Sequence, residues 1–165
     1  MDIIAAQLED IDQVMLIIEQ AKQIMRANGN QTQWINGYPS REIIAADIRN
    51  QDAFVCLVNT EIVGYFCLII GSDPEPNYKV IEEGAWLNNS PYGVIHRLAS
   101  SGTVKGIARK AFDFAFSQIN TVRVDTNHDN IPMQKFLRNS GFTYCGIIYV
   151  SDGSPRDAFQ KIIAD

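Results

Sequence analysis

The 165-residue chain is poor in basic residues, histidine and cysteine, and it has no apolar run long enough to cross a bilayer. Fourteen Lys and Arg stand against 19 Asp and Glu, a formal charge of -5. The basic residues are scattered, whereas a surface that tracks phosphates needs them clustered, so nucleic acid and anionic lipid are not expected partners. A small, cationic partner suits this balance better. The two histidines, His96 and His128, lie apart, without paired cysteines or a His-x-x-x-His spacing, so no metal site is expected. Cys56, Cys67 and Cys145 are odd in number and sit in apolar runs, which reads as buried thiols in a reducing cytoplasm rather than as disulfides. The longest apolar run, residues 62–70, falls well short of the ~20 residues a membrane span requires, and no basic leader precedes an apolar stretch at the start. A Gly-x-Ser-x-Gly elbow is missing, and Lys105 precedes Gly106 instead of following a glycine, so neither a serine hydrolase nor a Walker-type loop is indicated.

What is present is apolar material for one full core: 46% of the residues are hydrophobic, and one domain over residues 1–165 is expected. Residues 3–6 read as a strand. Residues 9–27 follow as a helix, with Ile11, Val14, Ile18, Ala21 and Met25 at helical spacing. Residues 30–40 are loop, and Ser40 is placed to cap a second helix ending at Asn50. Residues 53–58 and 61–70 are strands joined by a hairpin at Asn59-Thr60. A long excursion over residues 72–91, with three prolines, borders a site. Beyond it the pattern predicts a strand over 92–99, a helix over 104–118, a strand over 121–126, and a helix capped by Asp129 or Asn130 with Pro132 in its first turn. Strands over 142–150 and 157–163 complete an α/β or α+β domain.

The chemistry concentrates between residues 96 and 108. A strand runs into Ser100-Ser101-Gly102-Thr103-Val104-Lys105-Gly106-Ile107-Ala108 and then a helix. The first turn of a helix has N–H groups without intrahelical partners, small residues let an anion approach them, and Lys105 adds a positive charge. Glycines at a helix start also serve tight packing, so this reading stays open beside the first.

The stretch from His96 to Ile148 resembles the core of the GNAT (Gcn5-related N-acetyltransferase) superfamily. Thr103-Val104-Lys105-Gly106-Ile107-Ala108 is similar to the family's Arg/Gln-x-x-Gly-x-Gly/Ala loop, with Thr103 in place of the Arg or Gln, and Asn130 through Phe142 is similar to its Asn-x-x-Ala helix ending in Gly-Phe. The resemblance implies a mixed, mostly antiparallel sheet of six to seven strands with a splayed central strand pair, flanked by about four helices. It also implies acetyl-CoA as acyl donor, held by Leu98, Ala99, Gly102, Thr103, Val104, Lys105, Gly106, Ile107, Ala108 and Asn130, without a metal. As a helix cap, Asn130 has a structural role beside this one.

On that basis the chain is expected to be a cytoplasmic N-acetyltransferase acting on a small-molecule or peptide amine. The alternative is a non-catalytic acyl-CoA-binding or sensing module, because Leu137 stands where many members have a proton-donating tyrosine. The splayed strand is expected to bulge and to offer the Leu98 amide to the thioester carbonyl. His96, two residues earlier and so on the same face, is the candidate general base, and Arg97 is expected to point the opposite way. Tyr144 or Tyr149 is the substitute acid. Trp34, Tyr38 and Trp86, with Glu82 and Glu83, are candidates for the acceptor wall. A homodimer through an edge strand is also open.

Overall fold

A computed structural model describes residues 1–165. The chain folds as β1 (Asp2–Ala5), α1 (Ile11–Ala27), α2 (Arg41–Arg49), β2 (Ala53–Val58), β3 (Glu61–Gly71), β4 (Tyr92–Ser100), α3 (Ile107–Gln118), β5 (Thr121–Thr126), α4 (Ile131–Asn139), β6 (Thr143–Tyr149) and β7 (Pro155–Ile162). The seven strands form one sheet in the order β1-β2-β3-β4-β5-β7-β6. All neighbours run antiparallel except β4 and β5, which are parallel.

Helix starts and stops follow local chemistry. Ser40 Oγ accepts the Ile43 amide at 3.2 Å and starts α2. Asn130 Oδ1 accepts the Met133 amide at 3.3 Å and starts α4, with Pro132 in the first turn as expected. The helix expected from Val104 begins only at Ile107, because Gly106 has φ 90°, a left-handed conformation that breaks helical continuity.

Each face of the sheet buries its own core. Val14 and Ile18 of α1 and Ile44 of α2 pack with Val55 and Tyr65 on one face. Ala111, Phe112 and Ala115 of α3 and Leu137 of α4 pack with Phe66 and Val122 on the other. A fully buried apolar side chain contributes about 1.5–3 kcal/mol, so these two layers are the main force holding the helices to the sheet. The three cysteines are free and buried, as expected. Burial pushes the Cys67 thiol up to about 12 and the Cys56 thiol to about 11, which makes both poor nucleophiles.

The excursion between β3 and β4 folds down over β5, β7 and β6. The Trp86 indole donates to the Tyr78 carbonyl at 2.8 Å, and the Arg123 guanidinium lies 4.3 Å from the Trp86 ring centroid and 4.1 Å from that of Tyr92. Glu82 exchanges backbone hydrogen bonds with Ile147 at 2.9 and 2.8 Å. At Gly84 a Cβ would stand 1.9 Å from the Cys145 carbonyl oxygen, so only glycine allows this approach.

Two irregularities in β4 shape the centre of the sheet. β4 pairs with β5 only at Gly93↔Val122 and Val94↔Arg123, after which the strands part. On its other edge Cys67 pairs with His96 and Tyr65 with Ala99, so three steps along β4 match two along β3. The extra residue is Arg97, whose φ is 52°. Such a bulge bends its strand and re-aims the side chains around it.

Candidate active site

The parted strands open into a cavity of about 660 Å³ that runs through the sheet. Its α3–α4 side is apolar: Ile95 and Leu98 from β4, Val124 from β5, Phe112 from α3 and Met133 from α4. Its other side is polar. There Trp34 and Tyr38 come from the α1–α2 segment, Glu75 and Tyr78 from the excursion, Asp152 from the β6–β7 turn, and Arg156 from β7.

The bulge corrects the facing expected for β4. Ile95 and Leu98 both pack into the α3–α4 core, while Ala99 packs into the α1–α2 core. His96, paired with Cys67, therefore faces away from Leu98, and Arg97 lies on the His96 side instead of opposite it. The added residue breaks the alternation that would otherwise put residues 96 and 98 on one face.

Arg97 is held in a buried network. Its Nε donates to Asp47 Oδ2 at 2.7 Å and its Nη2 to Asp47 Oδ1 at 2.5 Å. Tyr65 donates its hydroxyl to Asp47 Oδ2 at 2.8 Å, and Arg97 Nη1 donates to the Tyr38 hydroxyl at 3.1 Å. Burial and the adjacent Asp47 carboxylate push the Tyr65 hydroxyl far above its ordinary range. A bidentate guanidinium–carboxylate pair fixes orientation as well as charge, so this network sets the shape of the bulge.

His96 has a partner that the sequence did not reveal. Its Nε2 lies 2.7 Å from Glu75 Oε2, and both side chains are largely buried. Burial works to raise the Glu75 carboxyl, but hydrogen bonds from His96 and from the Asn77 amide prevail and hold it below the ordinary carboxylate range. Across the cavity, burial pushes the Asp125 carboxyl up, against the pull of His96, the Tyr78 hydroxyl and Arg156. Tyr78 donates to Asp125 Oδ2 at 2.6 Å. A neutral imidazole that donates Nε2–H to Glu75 keeps its lone pair on Nδ1, which equips it to take a proton.

Beyond the far end of β4 lies the loop before α3. Ser100 Oγ and Ser101 Oγ accept the amides of Gly102 and Thr103 at 3.1 and 3.2 Å, so these two amides are occupied. The first amide of the helix start bonded within the protein is that of Lys110, to the Gly106 carbonyl at 3.0 Å, and the amides of residues 104–109 donate to no protein acceptor. A Cβ on Gly106 would meet nothing within 4 Å, so the loop is open on that side. A row of unpaired amides at a helix start attracts an anion. The row overlaps the expected cradle at residues 104–108 and gains Arg109, whereas Gly102 and Thr103 contribute no free amide.

Asn130 is a cap, as described, and its Nδ2 also lies 3.3 Å from Gln33 Oε1. Asn127 Nδ2 donates to Thr32 Oγ1 at 2.9 Å, so the α1–α2 segment is tied across the cleft to the β5–α4 turn. Trp34 and Tyr38 line the cavity, although most of Trp34 is buried in the core.

Glu82, Glu83, Trp86 and Tyr144 are not brought to the cavity. Glu82 and Trp86 are used in pinning the excursion, and Glu83 is exposed. Tyr144 stands on the edge strand β6 with its ring 5.7 Å from Phe159 and the Arg138 guanidinium 5.8 Å above it. Tyr149 is also on the outside, exposed on the edge strand β6. Leu137 is fully buried in the α3–α4 core. Glu75 was legible only as an acid between two prolines, Pro74 and Pro76, a rigid setting that favours a fixed side chain.

Solved structures share this architecture. A GNAT-family acetyltransferase from Streptococcus agalactiae is 35% identical, with 99% of this chain and 96% of that one covered and a TM-score of 0.88. A GNAT-family acetyltransferase from Listeria monocytogenes is 18% identical over 98% and 94% of the two chains, with a TM-score of 0.70. A ribosomal-protein-alanine N-acetyltransferase from Brucella melitensis is 16% identical over 99% and 100%, with a TM-score of 0.64. No protein-family model matches the sequence, and no curated protein matches it. At 35% identity over its whole length, the chain belongs to the GNAT family of acetyltransferases. No helix is long and apolar enough to cross a membrane.

Proposed function

We propose that this protein transfers an acetyl group from acetyl-CoA to the primary amine of a small-molecule or peptide acceptor. The observation that carries the reading is the parting of β4 from β5 beyond Val94, with a cavity through the gap and, past the end of β4, a row of free amides at the start of α3. These parts fit coenzyme A. The amides of residues 104–109 suit its diphosphate, with Lys105 adding positive charge, and the apolar channel between Leu98, Val124 and Met133 suits its thin pantetheine arm. When bound, acetyl-CoA supplies a thioester, an acyl group activated toward attack by an amine.

The remaining work belongs to the chain. Residues 95–99 have no strand partner on the β5 side, and the Leu98 amide in this stretch is the proposed donor to the thioester oxygen as it becomes negative. An amine attacks only when uncharged. His96 accepts its proton at Nδ1, and the Glu75 carboxylate on Nε2 holds the ring in orientation and stabilises the imidazolium that forms. Trp34 and Tyr38 wall the acceptor side. Leu137 offers no proton, so the departing thiolate is protonated from solvent, which a thiolate tolerates near neutral pH.

The test is release of free thiol from acetyl-CoA over a panel of amines, comparing the parent chain with Gly106→Glu. The left-handed φ at Gly106 adds about 1 kcal/mol of strain to any substitution, too little to unfold a domain, and the new carboxylate would project into the open side of the loop. Thiol release should fall at least 100-fold with the fold retained. Equal activity in the variant refutes the placement of the diphosphate, and tight cofactor binding without thiol release for any amine would favour the sensing module instead.

A further inference from the structure

The polar side of the cavity contains a guanidinium to which no carboxylate is bonded. Arg156 is only 9% exposed and lines the cavity. The single hydrogen bond its guanidinium makes is from Nη1 to the neighbouring Pro155 carbonyl at 3.0 Å. No carboxylate forms an ion pair with it. Buried arginines are ordinarily paired; Arg97, in the same cavity, is gripped along its Nε–Nη2 edge by Asp47. Arg156 Nε and Nη2, left without a protein acceptor, form the planar edge that binds a carboxylate through two parallel hydrogen bonds.

Its position matches the acceptor side of the site. On β7, Arg156 pairs with Ile148, and Ala158 two residues on pairs with Asp125 of β5, so Arg156 and Asp125 share the face that the excursion covers. His96 and Glu75 lie on the other lip of the same cavity. Asp125 and Asp152 are close enough to temper the charge of Arg156, but neither bonds to it. An acceptor held here meets a proton-accepting imidazole at one end and an unpaired guanidinium at the other.

We propose that the acceptor is an amino acid or a closely related amino carboxylate, whose amine is directed to His96 and whose carboxylate is received by Arg156. The proposal rests on the acetyltransferase reading above and narrows its substrate class. A simple polyamine has nothing to offer Arg156 and would leave its Nε–Nη2 edge without an acceptor.

The experiment uses the full chain saturated with coenzyme A and compares binding of each of the common amino acids with binding of its carboxamide by calorimetry. Acetyl transfer to the same pairs is measured in parallel. At least one acid should bind and react 10-fold or more better than its amide, with the difference in KM rather than kcat. In Arg156→Gln the difference should disappear. Arg156→Lys, which keeps the charge and loses the fork, should retain only part of it and guards against a folding defect in the first variant. Equal binding of acid and amide by the parent chain, or preferred acetylation of polyamines, overturns the proposal while coenzyme A still binds. Absence of heat with coenzyme A itself would remove the acetyltransferase reading as well, so the two failures are distinct.

Discussion

Replacing Asp47 with alanine should be among the most damaging single changes in the chain, although the residue touches no substrate. In the parent structure the carboxylate accepts two hydrogen bonds from Arg97 and one from Tyr65, and the Asp47 and Arg97 side chains are only 9% and 13% exposed. Removing it leaves a buried guanidinium without its counter-charge and a buried tyrosine hydroxyl without an acceptor. Breaking a buried pair in this way costs about 3–5 kcal/mol. For a domain of this length each kcal/mol lowers the melting temperature by roughly 2–4 °C, so a fall of roughly 6–20 °C is expected. Urea unfolding of Asp47→Ala, Arg97→Met and the double variant separates the pair from the packing around it. The double variant should be more stable than Asp47→Ala alone, because the orphaned cation is gone. A loss under about 1 kcal/mol for Asp47→Ala, or strictly additive losses in the cycle, would refute the view that this pair holds the bulge.

Three further outcomes follow from the structure. His96→Ala should lower kcat with little change in the KM for acetyl-CoA, and high pH should restore much of the rate by deprotonating the amine without a base; a pH–rate profile checks this, and lost stability at unchanged rate would make His96 a packing residue. In the same assay series, Glu75→Gln should flatten the acid limb of stability: Glu75 is held below its ordinary value of 4.5, so its contribution is complete above that value and is lost as pH falls through the lower folded one. Leu137→Tyr should not supply the absent proton donor. The side chain is fully enclosed in the α3–α4 core, so the larger ring should cost about 1–3 kcal/mol in thermal unfolding without raising kcat.

Much of the fold was legible because it follows from local rules. The helical spacing of Val14, Ile18 and Ala21, the cap at Ser40, the turn at Asn59-Thr60 and the proline in the first turn of α4 act within a few residues, and all appear in the structure. The site was less legible, since its parts meet across the sheet. His96 could be singled out, but Glu75 lies 21 positions earlier in a loop whose path is set by Trp86, Arg123 and Gly84 together. Two adjacent acids, Glu82 and Glu83, drew attention to the right segment and the wrong end of it. The side chains around the bulge were misplaced for a related reason. Strand alternation is a sound rule until one residue is inserted, and the signal for that insertion is an ion pair to Asp47, 50 residues away.

The central strand is irregular on both edges: three steps of β4 stand beside two of β3, and on the other edge β4 and β5 stop pairing after Val94. Deleting Arg97 would restore strict alternation along β4 against β3, but it would also take away the partner of Asp47. One surplus amino acid thus gives this strand its buried guanidinium.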